Sequence, residues 1–358
     1  MHKFDPTEVD AAEQQAPKAT ARHRATPEMA EHAVAGNQKD LGASAIATER
    51  YVADLEETPV AATDSTTQEQ APLSLWRDAW RQLRKKPTFI VSMLLIILAV
   101  LVAFFPQIFW TENPANAQCL LEHSNGRGSA GHLMGFTAQG CDVYSRVIAG
   151  TRASLTVGLF STLGVVVIGG IIGAIAGYFG GWLDAILARL GDIFFALPLI
   201  LGALVIMQLP VFREHRGVWT LVVILVLLGW PQVARIMRGA VVEVRNADYV
   251  TSARSLGVSS FGILLRHIIP NAMAPVIVIA TISLGTFIVA ESTLSYLGIG
   301  LPPEITSWGN DISDGKDAFR SNPLPVFWPG LALSLTVLSF IMLGDALRDA
   351  LDPKSRKK

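Results

Sequence analysis

The chain has 358 residues, of which 51% are hydrophobic and only 16% charged, against about 25% charged in a typical soluble domain; its mean hydropathy is +0.40. That composition excludes a disordered protein, a collagen-like fibre and an ordinary soluble enzyme, and two cysteines are too few for a disulfide-rich secreted scaffold. The net charge of −1 is unevenly placed: residues 1–73 carry 13 Asp/Glu against 6 Lys/Arg, and the rest of the chain is basic.

Residues 1–73, rich in Ala, Thr, Glu and Gln, have no apolar period and cannot bury enough surface to offset the entropy of ordering, so they are predicted to be a disordered acidic tail. Residues 74–87 differ. Leu75, Trp76, Ala79, Trp80 and Leu83 recur at helical spacing among Arg77, Arg81, Arg84 and Lys85, the pattern of an amphipathic helix lying in a membrane interface.

Six stretches then lack Asp, Glu, Lys, Arg and His altogether: Thr88–Trp110, Ala153–Leu183, Ile193–Phe212, Gly217–Ala234, Ile268–Ala290 and Ser321–Gly344. About 20 helical residues cross a hydrocarbon core of roughly 30 Å. Six such runs predict six transmembrane helices, and the absence of period-2 alternation excludes a β-barrel. The first span, 88–110, follows a long hydrophilic segment, so it reads as an uncleaved anchor. With both termini cytoplasmic, 16 of the Lys/Arg beyond residue 73 fall inside and 7 outside, which selects that orientation.

The loop 111–150 is then extracytoplasmic. Its Cys119 and Cys141 can either form a disulfide, worth roughly 3 kcal/mol for a loop of this length, or remain two thiols. A five-helix core at 151–346 follows. Its first helix carries Gly169, Gly173, Gly177 and Gly181, one every four residues, a face without side chains that lets another backbone approach closely. Residues 347–358 form a basic cytoplasmic end.

Signs of catalysis are sparse. Gly309–Asp317 superficially resembles a phosphate-binding loop, but its glycines are one residue too far apart and Asp stands where Ser or Thr is needed. His123 and His132 lack a metal-binding context, and no metal site is expected. Asp192, Glu291 and Asp345 fall at span ends, where a solvated structural role competes with a functional one. No nucleophile–base set or nucleic-acid signature is present, so the chain is not expected to be an enzyme.

The segment Asp248–Asn271, between spans four and five, is the patterned cytoplasmic one. Asp248 is positioned to cap a short helix, Gly257 to end it in a left-handed conformation, and Ser259 to cap a second helix running from Ser260 to Ile269, before Pro270. This predicts a helix–turn–helix on the inner face, with Ala253, Leu256 and Phe261 available to a partner's groove. The string TSARSLG (Thr251–Gly257), followed by Pro270, resembles the EAA loop of ABC-importer permeases, with Thr251 and Ser252 in place of the Glu-Ala that names it. Three further strings narrow the resemblance to the C-type subunit of the dipeptide/oligopeptide ABC-importer permease family: YSRVIAGTRASLTVG (Tyr144–Gly158), SYLGIGLPPEITSWGNDISDGKDAF (Ser295–Phe319) and GDALRDALDP (Gly344–Pro353).

The resemblance implies an all-α integral membrane fold, the type I ABC-importer permease fold with a cytoplasmic coupling helix. It implies that Tyr249, Val250, Thr251, Ser252, Ala253, Arg254, Leu256, Gly257, Phe261 and Pro270 form the surface coupled to an ATPase. The implied partners are a homologous second permease, two ABC ATPases holding ATP and magnesium, an extracytoplasmic peptide-binding protein and the lipid bilayer, with no cofactor in this chain. The expected function is alternating-access import of di- or oligopeptides; a same-family importer of nickel or another small solute is the alternative. The substrate-lining residues stay unassigned.

Overall fold

In a computed structural model, residues 75–110, 113–114, 119–129 and 131–351 are described. The expectations for the acidic tail at 1–73 and the final cations at 352–358 fall outside them. The described chain is helical, and its only β-type pairings are two isolated bridges, Ser129 with His132 and Phe136 with Asp142. In chain order the helices are α1 (Leu75–Leu83), α2 (Pro87–Phe104), α3 (Pro106–Phe109), α4 (Val143–Phe179), α5 (Gly181–Phe195), α6 (Leu199–Met207), α7 (Pro210–Arg213), α8 (Val218–Arg245), α9 (Asp248–Ser255), α10 (Ser260–Ile263), α11 (Ile269–Tyr296), α12 (Trp308–Gly315) and α13 (Leu324–Leu351). A π-helical turn, Leu264–Ile268, fuses α10 to α11.

Among the described residues, five stretches are long and apolar enough to cross a membrane: α2, α4, α8, the fused α10–α11 and α13. The third apolar run is not one straight span. It belongs to α5 and α6, which meet at 78°. The break falls at Ala196-Leu197-Pro198, with Pro198 as the N-cap of α6. Proline has no N–H to continue the ladder and disfavours helical geometry in the residue before it. With nine residues, α6 is about 14 Å long and cannot cross alone. Counted with α5 as one bent span, it completes a set of six.

The largest core joins α4, α8 and α11 through Val157, Val165, Leu221, Leu225, Val233, Met237, Ile268 and Leu294, all essentially inaccessible. A second cluster packs α2, α4, α11 and α13 around Trp308 of α12. In a third, Ala79 and Leu83 of α1 meet Phe89 of α2 and Ala346 and Ala350 of α13. The apolar face of α1 therefore covers α13, while Trp80, edge-on to Phe89 at 6.0 Å, stays 54% exposed. Lys86 and Asp349 form an ion pair at 2.9 Å across the same junction.

Candidate coupling site

The hairpin follows α8 after only two residues, Asn246 and Ala247. The N-cap of α9 is Ala247, in extended geometry and without a side-chain cap, and Asp248 is the first helical residue. The expected Asp248 cap is therefore displaced by one position, and its carboxylate acts on the first-turn dipole instead. At the other end the backbone closes as a Schellman motif. The Gly257 N–H donates to the Arg254 carbonyl at 3.0 Å, and the Val258 N–H to that of Ala253 at 3.2 Å. Gly257 has φ +80, a conformation glycine adopts without steric cost. The Ser259 hydroxyl then accepts from the Gly262 N–H at 3.2 Å, starting α10.

With every turn residue accounted for, the faces of the hairpin are well defined. Val250 is fully buried and Ala253 is 8% exposed, both packed into the bundle. Ala253 is thus not available to a partner: one turn after Val250, it lies on the same inward face. Leu256 is 83% and Phe261 68% exposed, with Tyr249, Val258 and Leu265 also exposed beside them. Thr251, Ser252 and Arg254 are exposed as well. Serine hydroxyls fold back on the helix, Ser252 donating to the Asp248 carbonyl at 2.9 Å and Ser255 to that of Thr251 at 3.2 Å. Pro270 is exposed in the first turn of α11. The second helix does not stop there; it widens into the π turn Leu264–Ile268 and continues. That turn contains Arg266, whose carbonyl the proline nitrogen cannot pair with, so the bonding pattern changes where an α ladder would fail.

Behind the hairpin, α8 is locked to α4. A Cβ on Gly169 would stand 2.6 Å from the Trp230 carbonyl oxygen, one on Gly173 2.3 Å from that of Ala234, and one on Gly177 2.8 Å from that of Arg238. Only glycine permits this backbone approach. Gly181 is not part of the face. It has φ +62, starts α5 after the chain has left α4, and a Cβ there would meet nothing. Arg245 at the end of α8 donates to the last carbonyls of α4, Gly177 at 3.2 Å and Tyr178 at 2.9 Å, groups that have no partner within their own helix.

The opposite end of the bundle holds Cys119 and Cys141, which are joined by a disulfide (Cα–Cα 4.4 Å). In the loop it closes, Phe136 stacks on His123 and meets His132 at a 44° tilt, and His132 Nδ1 lies 3.0 Å from Asp142 Oδ1. Asp142 also caps α4, accepting from the Ser145 N–H at 2.9 Å. Nearby, Glu291 is fully buried rather than solvated. Its carboxylate accepts from Ser154 at 2.9 Å, Ser295 at 2.9 Å and Ser292 at 3.1 Å. These bonds tie α4 to α11, a role that the position of Glu291 at a span end did not reveal. The local part of the signal was Ser295, four residues later on the same helix face.

α12 seals this end. Trp308 Nε1 donates to the Val147 carbonyl at 3.0 Å, and a Cβ on Gly309 would lie 2.7 Å from Ser292. Arg146 Nε donates to Asp311 at 2.8 Å. Burial pushes the Asp311 carboxyl up to about 6, against the opposing pull of the Arg146 guanidinium. The segment Gly309–Asp317 is therefore chiefly a helix wedged into the bundle, which accords with rejecting it as a phosphate loop.

Residues 169–357 match the family model described as the binding-protein-dependent transport system inner membrane component, and residues 74–122 match the N-terminal TM domain of oligopeptide transport permease C. The chain is 36% identical to the oligopeptide transport system permease protein OppC of Bacillus subtilis over 80% of its own length and 92% of that protein's. It is 37% identical to the dipeptide transport system permease protein DppC of Bacillus subtilis, over 80% and 88%. It is also 34% identical to the glutathione transport system permease protein GsiD of Pectobacterium atrosepticum, over 78% and 91%. The chain belongs to the family of binding-protein-dependent transport inner-membrane components: it is a multi-pass ABC-importer permease subunit, not the subunit that carries out catalysis.

Proposed function

We propose that this permease forms half of the translocation path of an importer for di- or oligopeptides. Its exposed hairpin, Tyr249 to Phe261, is the surface gripped by a cytoplasmic ATPase. The cargo reading rests on the relatives named for oligopeptide, dipeptide and glutathione transport. The observation that carries the docking reading is the contrast within the hairpin. Val250 is sealed into the core while Leu256 and Phe261 stand 83% and 68% exposed on either side of a turn closed by the Gly257 and Val258 N–H bonds. A rigid turn presenting large apolar side chains suits a partner's groove.

In this reading both termini and the hairpin are cytoplasmic, supported by the cation bias and by a disulfide in the loop that this orientation places outside. The remaining partners are a homologous second permease, a second ATPase and an extracytoplasmic binding protein. ATP and magnesium reside on the ATPases. ATP binding draws those subunits together, the hairpin moves with one of them, and the cavity between the permeases turns outward to receive peptide from the binding protein. Nucleotide hydrolysis resets it.

Gly257→Pro tests the docking surface, because φ near −65° is incompatible with the observed φ of +80. In proteoliposomes holding the complete transporter, the variant should insert and assemble, yet lose labelled-dipeptide uptake while its ATPases still turn over. Normal uptake by that variant would overturn the docking assignment. Energised uptake of nickel, with no peptide uptake by the parent, would overturn the cargo assignment.

A further inference from the structure

α5 is attached to the bundle in an unusual way. Of its 15 residues only Gly191 is buried, and its large apolar side chains Trp182, Ile186 and Ile193 are 75%, 56% and 64% exposed. Apolar packing holds only the far end of this helix to α8, where Gly191 faces Trp230 and Pro231 and the Phe194 ring lies 5.8 Å from that of Trp230. Charge holds the rest. Arg238 of α8 grips the Asp184 carboxylate of α5 in a two-pronged contact, Nη2 to Oδ2 at 2.6 Å and Nε to Oδ1. Arg235 reaches Asp192 at 3.3 Å and lies 4.4 Å over the Phe195 ring. The Asp192 pair is more than half exposed on both sides and contributes little; in the other pair Asp184 is 19% and Arg238 43% exposed, and its two-pronged geometry makes it the stronger of the two.

The same α8 runs directly into the hairpin and is fused to α4 by the glycine face and the Arg245 cap. The hairpin, α8 and α4 therefore constitute one mechanical body; α5, which leads into the bent helix α6, is joined to it by the chain at Gly180, by the Phe194–Trp230 contact and by one strong side-chain ion pair. We infer that Asp184 and Arg238 are a positioning pair that makes the broken span α5–α6 follow the hairpin, so that a push on the hairpin reshapes the path instead of slipping past it. The inference rests on the coupling role proposed above and adds the residues that carry the movement onward.

The complete reconstituted transporter tests this by the ratio of ATP hydrolysed to dipeptide taken up. In Asp184→Asn and in Arg238→Gln, the ratio should rise about tenfold while ATP turnover persists, the size expected for two residues in direct contact. The charge-swapped double variant, Asp184→Arg with Arg238→Asp, should bring the ratio back toward the parent when all variants are compared at equal complex yield, so that a loss of stability does not account for the change. Unchanged ratios in the single variants would overturn the inference. So would a swap no better than its parents at equal complex yield. Should the single variants assemble poorly, the swap alone decides: recovered yield with an unrecovered ratio refutes the pair. Gly257→Pro, run alongside, separates the two levels. If it transports normally the hairpin reading itself has failed, whereas if it uncouples and the Asp184 variants do not, only the positioning pair has failed.

Discussion

Gly173→Ala adds one methyl group where α4 touches α8. The new Cβ would lie 2.3 Å from the Ala234 carbonyl oxygen and 2.9 Å from Met237 Cβ. Since carbon contacts settle at about 3.5 Å or more, the helices must part by about 1 Å. The nearest atom is backbone, so no side-chain rotation relieves the clash. Overpacking of this kind costs about 1–3 kcal/mol. The upper end applies because parting the helices also loosens the contacts at Gly169 and Gly177. Gly170 provides the control on the same helix: a Cβ there meets nothing within 4 Å, so Gly170→Ala should gain the usual helix advantage of about 0.5–1 kcal/mol. The two single-methyl changes should therefore differ in sign, separated by about 2–4 kcal/mol. Thermal unfolding of the purified permease complex in detergent, followed by tryptophan fluorescence, measures this. Equal midpoints for the two variants would refute the backbone contact as the bond between α4 and α8.

Replacing Cys119 and Cys141 together by Ser should cost about 3 kcal/mol, the loop-closure value for the observed separation of 22 residues. An unchanged midpoint, with two thiols reactive to maleimide in the unfolded parent, would refute the bridge. Asp311 predicts a pH dependence with a definite sign. Its carboxyl is raised from 3.8 to about 6, so between those values the folded chain holds a proton that the unfolded chain releases. Stability therefore falls as pH rises from about 4 to about 6, by about 3 kcal/mol for a two-unit shift. Asp311→Asn should flatten melting midpoints across that interval, and an identical slope in both proteins would refute the assignment.

Much of the architecture was legible because a lipid-crossing helix must exclude charge, and five of the six charge-free runs correspond to continuous apolar helices. The third run misled for the same reason: hydropathy records what a segment excludes, not whether its backbone is straight, and the bend depends on Pro198. The turn chemistry at Gly257 and Ser259 was readable because both residues act on their own neighbours. The assignments that shifted depend on position in space. Ala253 turned inward beside Val250, Gly181 fell beyond the end of its helix, and Asp248 stood one residue inside its own. The serine ring of Glu291 draws on two helices more than a hundred residues apart, a pairing that no local pattern contains.

The widened turn at Leu264–Ile268 bears on which changes of length this chain can tolerate. Each residue added to or removed from an ordinary helix rotates everything beyond it by about 100°. A π turn is the exception, since it accommodates one surplus residue within a single loosened coil. Loss of one codon within 264–268 would draw that coil toward ordinary pitch, with one carbonyl left open opposite Pro270, and leave Leu256 and Phe261 aimed as before. The same loss a few residues later, after Pro270, would swing them a quarter-turn or more away from whatever they meet. Length variation between descendants of this chain should therefore collect in that one coil.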